Sequence, residues 1–165
     1  MNNKIILALD TADLNFAINT TKKIKDKIFT VKLGLEFFNA HGKNGVKKFN
    51  EIGIDNLMLD LKLNDIPETV YKSIKALDDI KFGFLTIHGQ GGKKMIEQAK
   101  KAAGEIKSKP KIFWGISHRA SLVNPTQTYT SAISYRGSLV NPSQKYFLEV
   151  FYFQYLLSLR YNDQR

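Results

Sequence analysis

The segment Asp60-Leu61-Lys62-Leu63-Asn64-Asp65 places a carboxylate, an ammonium and a second carboxylate within six residues. On an extended strand residues 60 and 62 share a face, because side chains alternate with a period of two. Asp60 and Lys62 would then stand side by side, with Asp65 in the loop just beyond. If Lys32 joins them from a neighbouring strand, two cations and two anions form an array alternating in sign. Each charge then has an opposite neighbour and stays ionised. A lysine held in such an array can deliver a proton to a carbanion, and a nearby aspartate can destabilise a substrate carboxylate about to leave. The plain alternative is a surface ion-pair cluster. Placement favours a site, because Asp10 and Lys32 stand at the ends of two earlier strands as Asp60 and Lys62 do at the end of a third.

Those ends follow from hydrophobic patterning. Residues 4–10 read as a buried strand ending in Asp10, and Asp13 is suited to cap a helix running to about Lys27, with Leu14, Ala17, Ile18 and Ile24 on one face. A second strand spans 29–34, followed by helical segments at 35–40 and 44–52 broken by Gly42. The third strand is 56–62, and Pro67 suits the first turn of a helix reaching about Asp79. Residues 84–88 form a fourth strand ending in His88, 89–92 a turn, 93–106 a fourth helix and 111–116 a fifth strand. Strands alternating with helices, with near-continuous apolar runs, predict a parallel sheet covered by helices. Asp10, Lys32, Asp60, Lys62 and His88 gather at the carboxyl ends or halves of strands, the edge that holds ligands in barrels and open sheets alike. No Gly-x-Gly-x-x-Gly or Walker-type loop follows the first strand, so a (β/α) barrel is favoured over an open nucleotide-cofactor sheet.

Composition bounds the partners. The chain has 165 residues, 43% hydrophobic and 24% charged, which suits one domain with a real core. It contains no cysteine, so disulfides and thiolate metal sites play no part. The N-terminal apolar run is too short for a signal peptide, and no stretch approaches the ~20 apolar residues of a membrane span. A cytoplasmic protein without membrane association is expected. The net charge of +10 raises a nucleic-acid partner. However, lysines 22, 23, 25 and 27, and 93, 94, 100 and 101, read as solvated helix faces. Zinc-finger spacing and RNA-binding aromatic signatures are both lacking. No nucleic-acid partner is expected, and the basic surface is equally suited to a phosphorylated small molecule.

Leu7-Ala-Leu-Asp10, Val31-Lys-Leu-Gly34, Asp60-Leu-Lys-Leu-Asn-Asp-Ile-Pro67 with Thr69, and Thr86-Ile-His-Gly89 together resemble the successive motifs of the orotidine 5'-monophosphate decarboxylase family. They stand in the family's order and at about its spacing as far as residue 116. The resemblance implies a (β/α)8 TIM barrel, of which this chain holds the first four to five units. It also implies a homodimer that binds a nucleotide substrate and uses neither metal nor organic cofactor. It assigns Lys62 as proton donor to C6 of the pyrimidine and Asp60 as the carboxylate facing the substrate's carboxyl group. Lys32 would complete the network and touch the ribose, and Asp10 would accept from a ribose hydroxyl. Asp65, Ile66 and Thr69 would reach into the partner subunit's site. His88 fits the pattern as a substrate-side residue, although a strand-end histidine more often serves a structural hydrogen bond. Gly34 and Gly89 are read as tight-turn residues, and His41 and His118 are assigned nothing. A magnesium-dependent sugar-phosphate decarboxylase or aldolase of the same superfamily shares the Asp-x-Lys-x-x-Asp core. Those relatives tend to place an acidic residue where Lys32 stands, and a cation there would repel a divalent metal.

Beyond about residue 116 the character changes. All four arginines lie there, against 20 of the 21 lysines before it, and Arg119–Tyr129 recurs as Arg136–Tyr146 with eight of eleven positions matching. Residues 117–165 are read as a divergent, repeat-containing tail outside the barrel. The family's phosphate-gripping turn and arginine have no counterpart in it. Binding of a remote phosphate can offset distortion at the reacting centre, so this lack opens a second reading, a truncated and inactive remnant.

Overall fold

The computed structural model describes residues 5–115. Five strands, β1 (Ile6–Leu9), β2 (Thr30–Gly34), β3 (Met58–Leu63), β4 (Phe84–His88) and β5 (Lys111–Gly115), alternate with four helices, α1 (Leu14–Ile24), α2 (Leu35–Glu51), α3 (Pro67–Lys75) and α4 (Gly92–Glu105). The strands are all parallel and pair in chain order, β1-β2-β3-β4-β5. A consecutive order has no point at which strand order reverses, so it is the order of a (β/α) barrel rather than of a doubly wound sheet. The tail, 117–165, with its two repeat copies, lies outside the described residues.

The two faces of the sheet separate by residue type. Leu7 and Leu9, Val31 and Leu33, Leu59, Leu85 and Ile87 pack with Ala17, Phe37, Val46, Phe49, Val70, Ile74, Met95, Ala99 and Ala102 in one buried core. This is the helix side. By register, Ala8 pairs with Lys32, Gly34 with Asp60, Met58 with Phe84, and Thr86 with Phe113, so these residues share the opposite face. At the amino end of that face the Phe84 ring packs between Phe29 and Phe113, with centroids 5.8 and 5.6 Å away. Its carboxyl end is polar, and the site lies there.

Local signals decide the helix ends. The Asp13 carboxylate accepts from the Phe16 N–H at 2.9 Å, the expected cap of α1. Pro67 occupies the first turn of α3. Gly42 interrupts α2 with φ 55° and ψ −150°, a left-handed value that a glycine adopts without steric penalty. The helix expected to reach Asp79 stops at Lys75. There the Leu77 N–H turns to Ile74 and the Asp78 N–H to Lys75, bonds spanning three residues instead of four. The tighter winding buries Leu77 and releases Asp79, which takes Lys43 and Lys47 of α2 at 2.8 Å each. α1 likewise stops at Ile24 and finishes in a 3-10 turn over Lys25–Lys27.

Gly45, just past the kink in α2, is pressed against its own helix. A Cβ there would lie 2.4 Å from the His41 Cβ and 3.0 Å from the Phe37 ring. Helix propensity alone makes alanine better than glycine by about 1 kcal/mol. The geometry reverses that sign. Gly45→Ala is expected to lower stability by about 1 kcal/mol or more, as overpacking does, read as a lower urea midpoint at unchanged slope.

Candidate active site

Parallel pairing brings residues distant in sequence to the carboxyl edge. Lys32 on β2 and Asp60 on β3 are both buried, and Lys32 Nζ lies 3.4 Å from Asp60 Oδ2. Lys62 Nζ lies 2.7 Å from the same oxygen, but its side chain is 50% exposed and opens toward the mouth of the edge. The other oxygen, Oδ1, accepts from the Thr86 hydroxyl of β4 at 2.8 Å. Burial pushes the Asp60 carboxyl up. The hydrogen bond and charge of Lys62, the Thr86 hydroxyl and the charge of Lys32 outweigh it and hold the group below its ordinary 3.8.

β3 does not run as a regular strand through this cluster. Leu59 pairs with Leu85 and Leu63 with Ile87, so four steps along β3 match two along β4. Lys62 takes up the extra length with φ 48°, a left-handed value uncommon for any residue but glycine. Its N–H, turned out of the ladder, donates to Thr86 Oγ1 at 3.0 Å. Asp60 and Lys62 are therefore neighbours as alternation predicts, by way of a bulge that alternation does not contain.

The remaining expected residues arrange themselves around this trio. Asp10 stands just past β1, and its Oδ1 lies 3.1 Å from where a Cβ on Gly34 would sit. Gly34 has φ −88°, open to any residue, so its small size serves the Asp10 carboxylate rather than a tight turn. The positive φ of the β4–α4 connection falls on Gly92, at 80°, and not on Gly89. His88 ends β4 with Nδ1 buried and without a hydrogen-bond partner among the described residues. Asp65 stands outside the trio, its Oδ1 accepting from the Ile66 N–H at 2.7 Å. Ile66 is 67% exposed, and Thr69 is exposed on the first turn of α3. Within one chain the cluster is thus two cations about one carboxylate, with Asp65, Ile66 and Thr69 on an outward rim. His41, assigned nothing from sequence, ties α2 to the β1–α1 loop, with Nε2 2.7 Å from the Ala12 carbonyl. Sequence reasoning missed the role of Thr86. The available signal was its place two residues from His88 on the same face of an otherwise apolar strand.

The sequence and the fold both have counterparts among known proteins. A model of the orotidine 5'-phosphate decarboxylase / HUMPS family matches residues 3–133. The chain belongs to this family. It is 46% identical over 107 residues to the orotidine 5'-phosphate decarboxylase of Wolbachia sp. subsp. Brugia malayi, covering 65% of this chain and 47% of that protein. To the Ehrlichia canis protein of the same name it is 50% identical over 97 residues, covering 59% and 42%. The crystal structure of orotidine 5'-phosphate decarboxylase from Lactobacillus acidophilus superposes with a TM-score of 0.59 at 33% identity, over 68% of this chain and 52% of that one. The Pyrococcus horikoshii structure, at 24% identity and a TM-score of 0.58, shares the fold. The chain spans about half the length of the curated relatives it matches. Among the described residues, no helix is long and apolar enough to cross a membrane.

The electrostatics of the trio are open to titration. A carboxyl held below its unfolded value contributes stability that is present above the unfolded pKa and lost as pH falls through the folded one. Carbon-13 NMR of Asp60 is expected to give a midpoint below 3.8. In Lys62→Met, which removes the nearest cation and hydrogen bond, the midpoint should move up. A midpoint unmoved by that substitution would contradict the pairing.

Proposed function

We propose that this chain carries the reaction end of an orotidine 5'-phosphate decarboxylase site, converting orotidine 5'-phosphate to uridine 5'-phosphate and carbon dioxide in pyrimidine nucleotide synthesis. The observation that carries the reading is the buried Asp60 carboxylate flanked by Lys32 and a half-exposed Lys62, 2.7 Å away, at the edge where barrels bind ligands. In the proposed step the C6 carboxylate leaves as carbon dioxide and its bonding electron pair stays on C6. The Lys62 ammonium then transfers a proton to C6, and the amine recovers a proton from solvent. Asp60 faces the departing carboxylate. Its negative charge raises the energy of the bound substrate more than that of the transition state, in which the carboxylate charge is moving into the ring. Lys32 joins Lys62 and Thr86 in holding Asp60 ionised and reaches toward the ribose, and Asp10 accepts from a ribose hydroxyl.

Asp65, Ile66 and Thr69, lying on the rim away from the trio, are proposed to complete the site of a second copy in a homodimer. The alternating array of four charges would then form across the dimer. The magnesium-dependent reading is less favoured, because an ammonium 3.4 Å from Asp60 opposes a divalent cation on the same carboxylate. Residues 1–116 are proposed as the barrel portion and 117–165 as a separate segment. The second reading, a chain without activity, draws on the sequence of residues 117–165, which does not match the family's phosphate-gripping turn and arginine.

Loss of orotidine monophosphate absorbance on incubation with purified chain, in the presence of a chelator, tests these readings together. Lys62→Ala is expected to lower the rate by about 10²–10⁴-fold, the usual worth of a positioned general acid. A folded wild-type chain with a flat trace would overturn the decarboxylase reading in favour of an inactive chain. Magnesium-dependent turnover of a sugar phosphate in place of orotidine monophosphate would favour the metal-dependent relatives.

A further inference from the structure

Thr86 has an arrangement that no part of the proposed chemistry uses. Its hydroxyl donates to Asp60 Oδ1 at 2.8 Å and accepts from the Lys62 backbone N–H at 3.0 Å. One side chain thus binds both residues given direct roles, from the neighbouring strand. We infer that Thr86 is a positioning residue that holds the Asp60 carboxylate and the Lys62 backbone in one fixed relation; its effect on turnover rests on the decarboxylase reading.

Two geometric facts give the hydroxyl its place here. The first concerns Asp60. Both ammonium groups crowd the same oxygen, with Lys62 at 2.7 Å and Lys32 at 3.4 Å on Oδ2. Oδ1 is then left to a neutral donor, and Thr86 fills that place. A carboxylate bonded through both oxygens to different strands cannot rotate about its last bond without losing one set of partners. The second concerns Lys62. Its left-handed backbone turns the N–H out of the β3–β4 ladder, so it takes a partner other than a ladder carbonyl. Thr86 Oγ1 satisfies it. A serine could make both bonds, whereas valine, with the same shape, could make neither.

The groups facing Asp60 are Lys62 on its own strand, Lys32 on β2 and the Thr86 hydroxyl on β4. Removing only the hydroxyl leaves both cations in place, so a change in titration reports the hydroxyl itself. Carbon-13 titration of Asp60 in the full chain is expected to move upward in Thr86→Val and to stay near wild type in Thr86→Ser. Where the wild type turns over, Thr86→Val should lower kcat by about ten- to a hundred-fold with KM little changed, and Thr86→Ser should recover most of it. Equal titration curves for Val, Ser and wild type would overturn the inference. A further measurement uses wild type alone, in case Thr86→Val does not fold. The Lys62 amide should exchange with deuterium more slowly than its unprotected rate, and free exchange in the folded chain would also overturn the clamp. A folded but inactive wild type would sink the decarboxylase reading, while the titration and exchange would still decide the role of Thr86.

Discussion

A carboxylate buried at the end of a parallel strand is tolerable only if its charge is answered at once, and around Asp60 that requirement organises the sheet edge. Isolated burial would drive the group to its neutral form, so the ionised state depends on the two ammoniums and the hydroxyl that surround it. Those partners come from three strands, which must hold their mutual register for the cluster to exist. Gly34 lies opposite Asp60 across one pairing, and Thr86 reaches it across the other. The bulge at Lys62 belongs to the same arrangement. It interrupts the ladder where the lysine sets its ammonium against Asp60, and its N–H donates to the hydroxyl that also bonds the carboxylate.

The scaffold separates two tasks by strand parity. One set of alternate residues, Leu7, Leu9, Val31, Leu33, Leu59, Leu85 and Ile87, is spent on the helices and carries the hydrophobic stabilisation. The other set faces the opposite side and is free to become polar toward the carboxyl edge, from Lys32 to Asp60 and Thr86. Membership of the orotidine 5'-phosphate decarboxylase / HUMPS family and the superposition on a solved decarboxylase fit the consecutive strand order. The net positive charge of the trio suits an anionic substrate.

Much of this was legible in the residues themselves. Strand and helix order, the Asp13 cap, Pro67 in the first turn of α3 and the break at Gly42 all follow from local chemistry: hydrophobic period, a side-chain acceptor, a fixed φ and a missing Cβ. The candidate residues were legible for a related reason. Charged groups at the ends of apolar runs stand out against a background that excludes them.

What the tertiary structure alone decided is which of these groups meet, and how. Lys32 and Asp60 are 28 positions apart, and only inter-strand register sets their 3.4 Å separation. Asp65 lies five residues from Asp60 yet turns to its own neighbour's N–H, because the chain has left the strand. The left-handed Lys62, the clamp at Thr86 and the space that Gly34 leaves for Asp10 each depend on a contact between strands. Period and propensity are properties of a segment, whereas register, and the bulge that shifts it, are properties of two segments packed together.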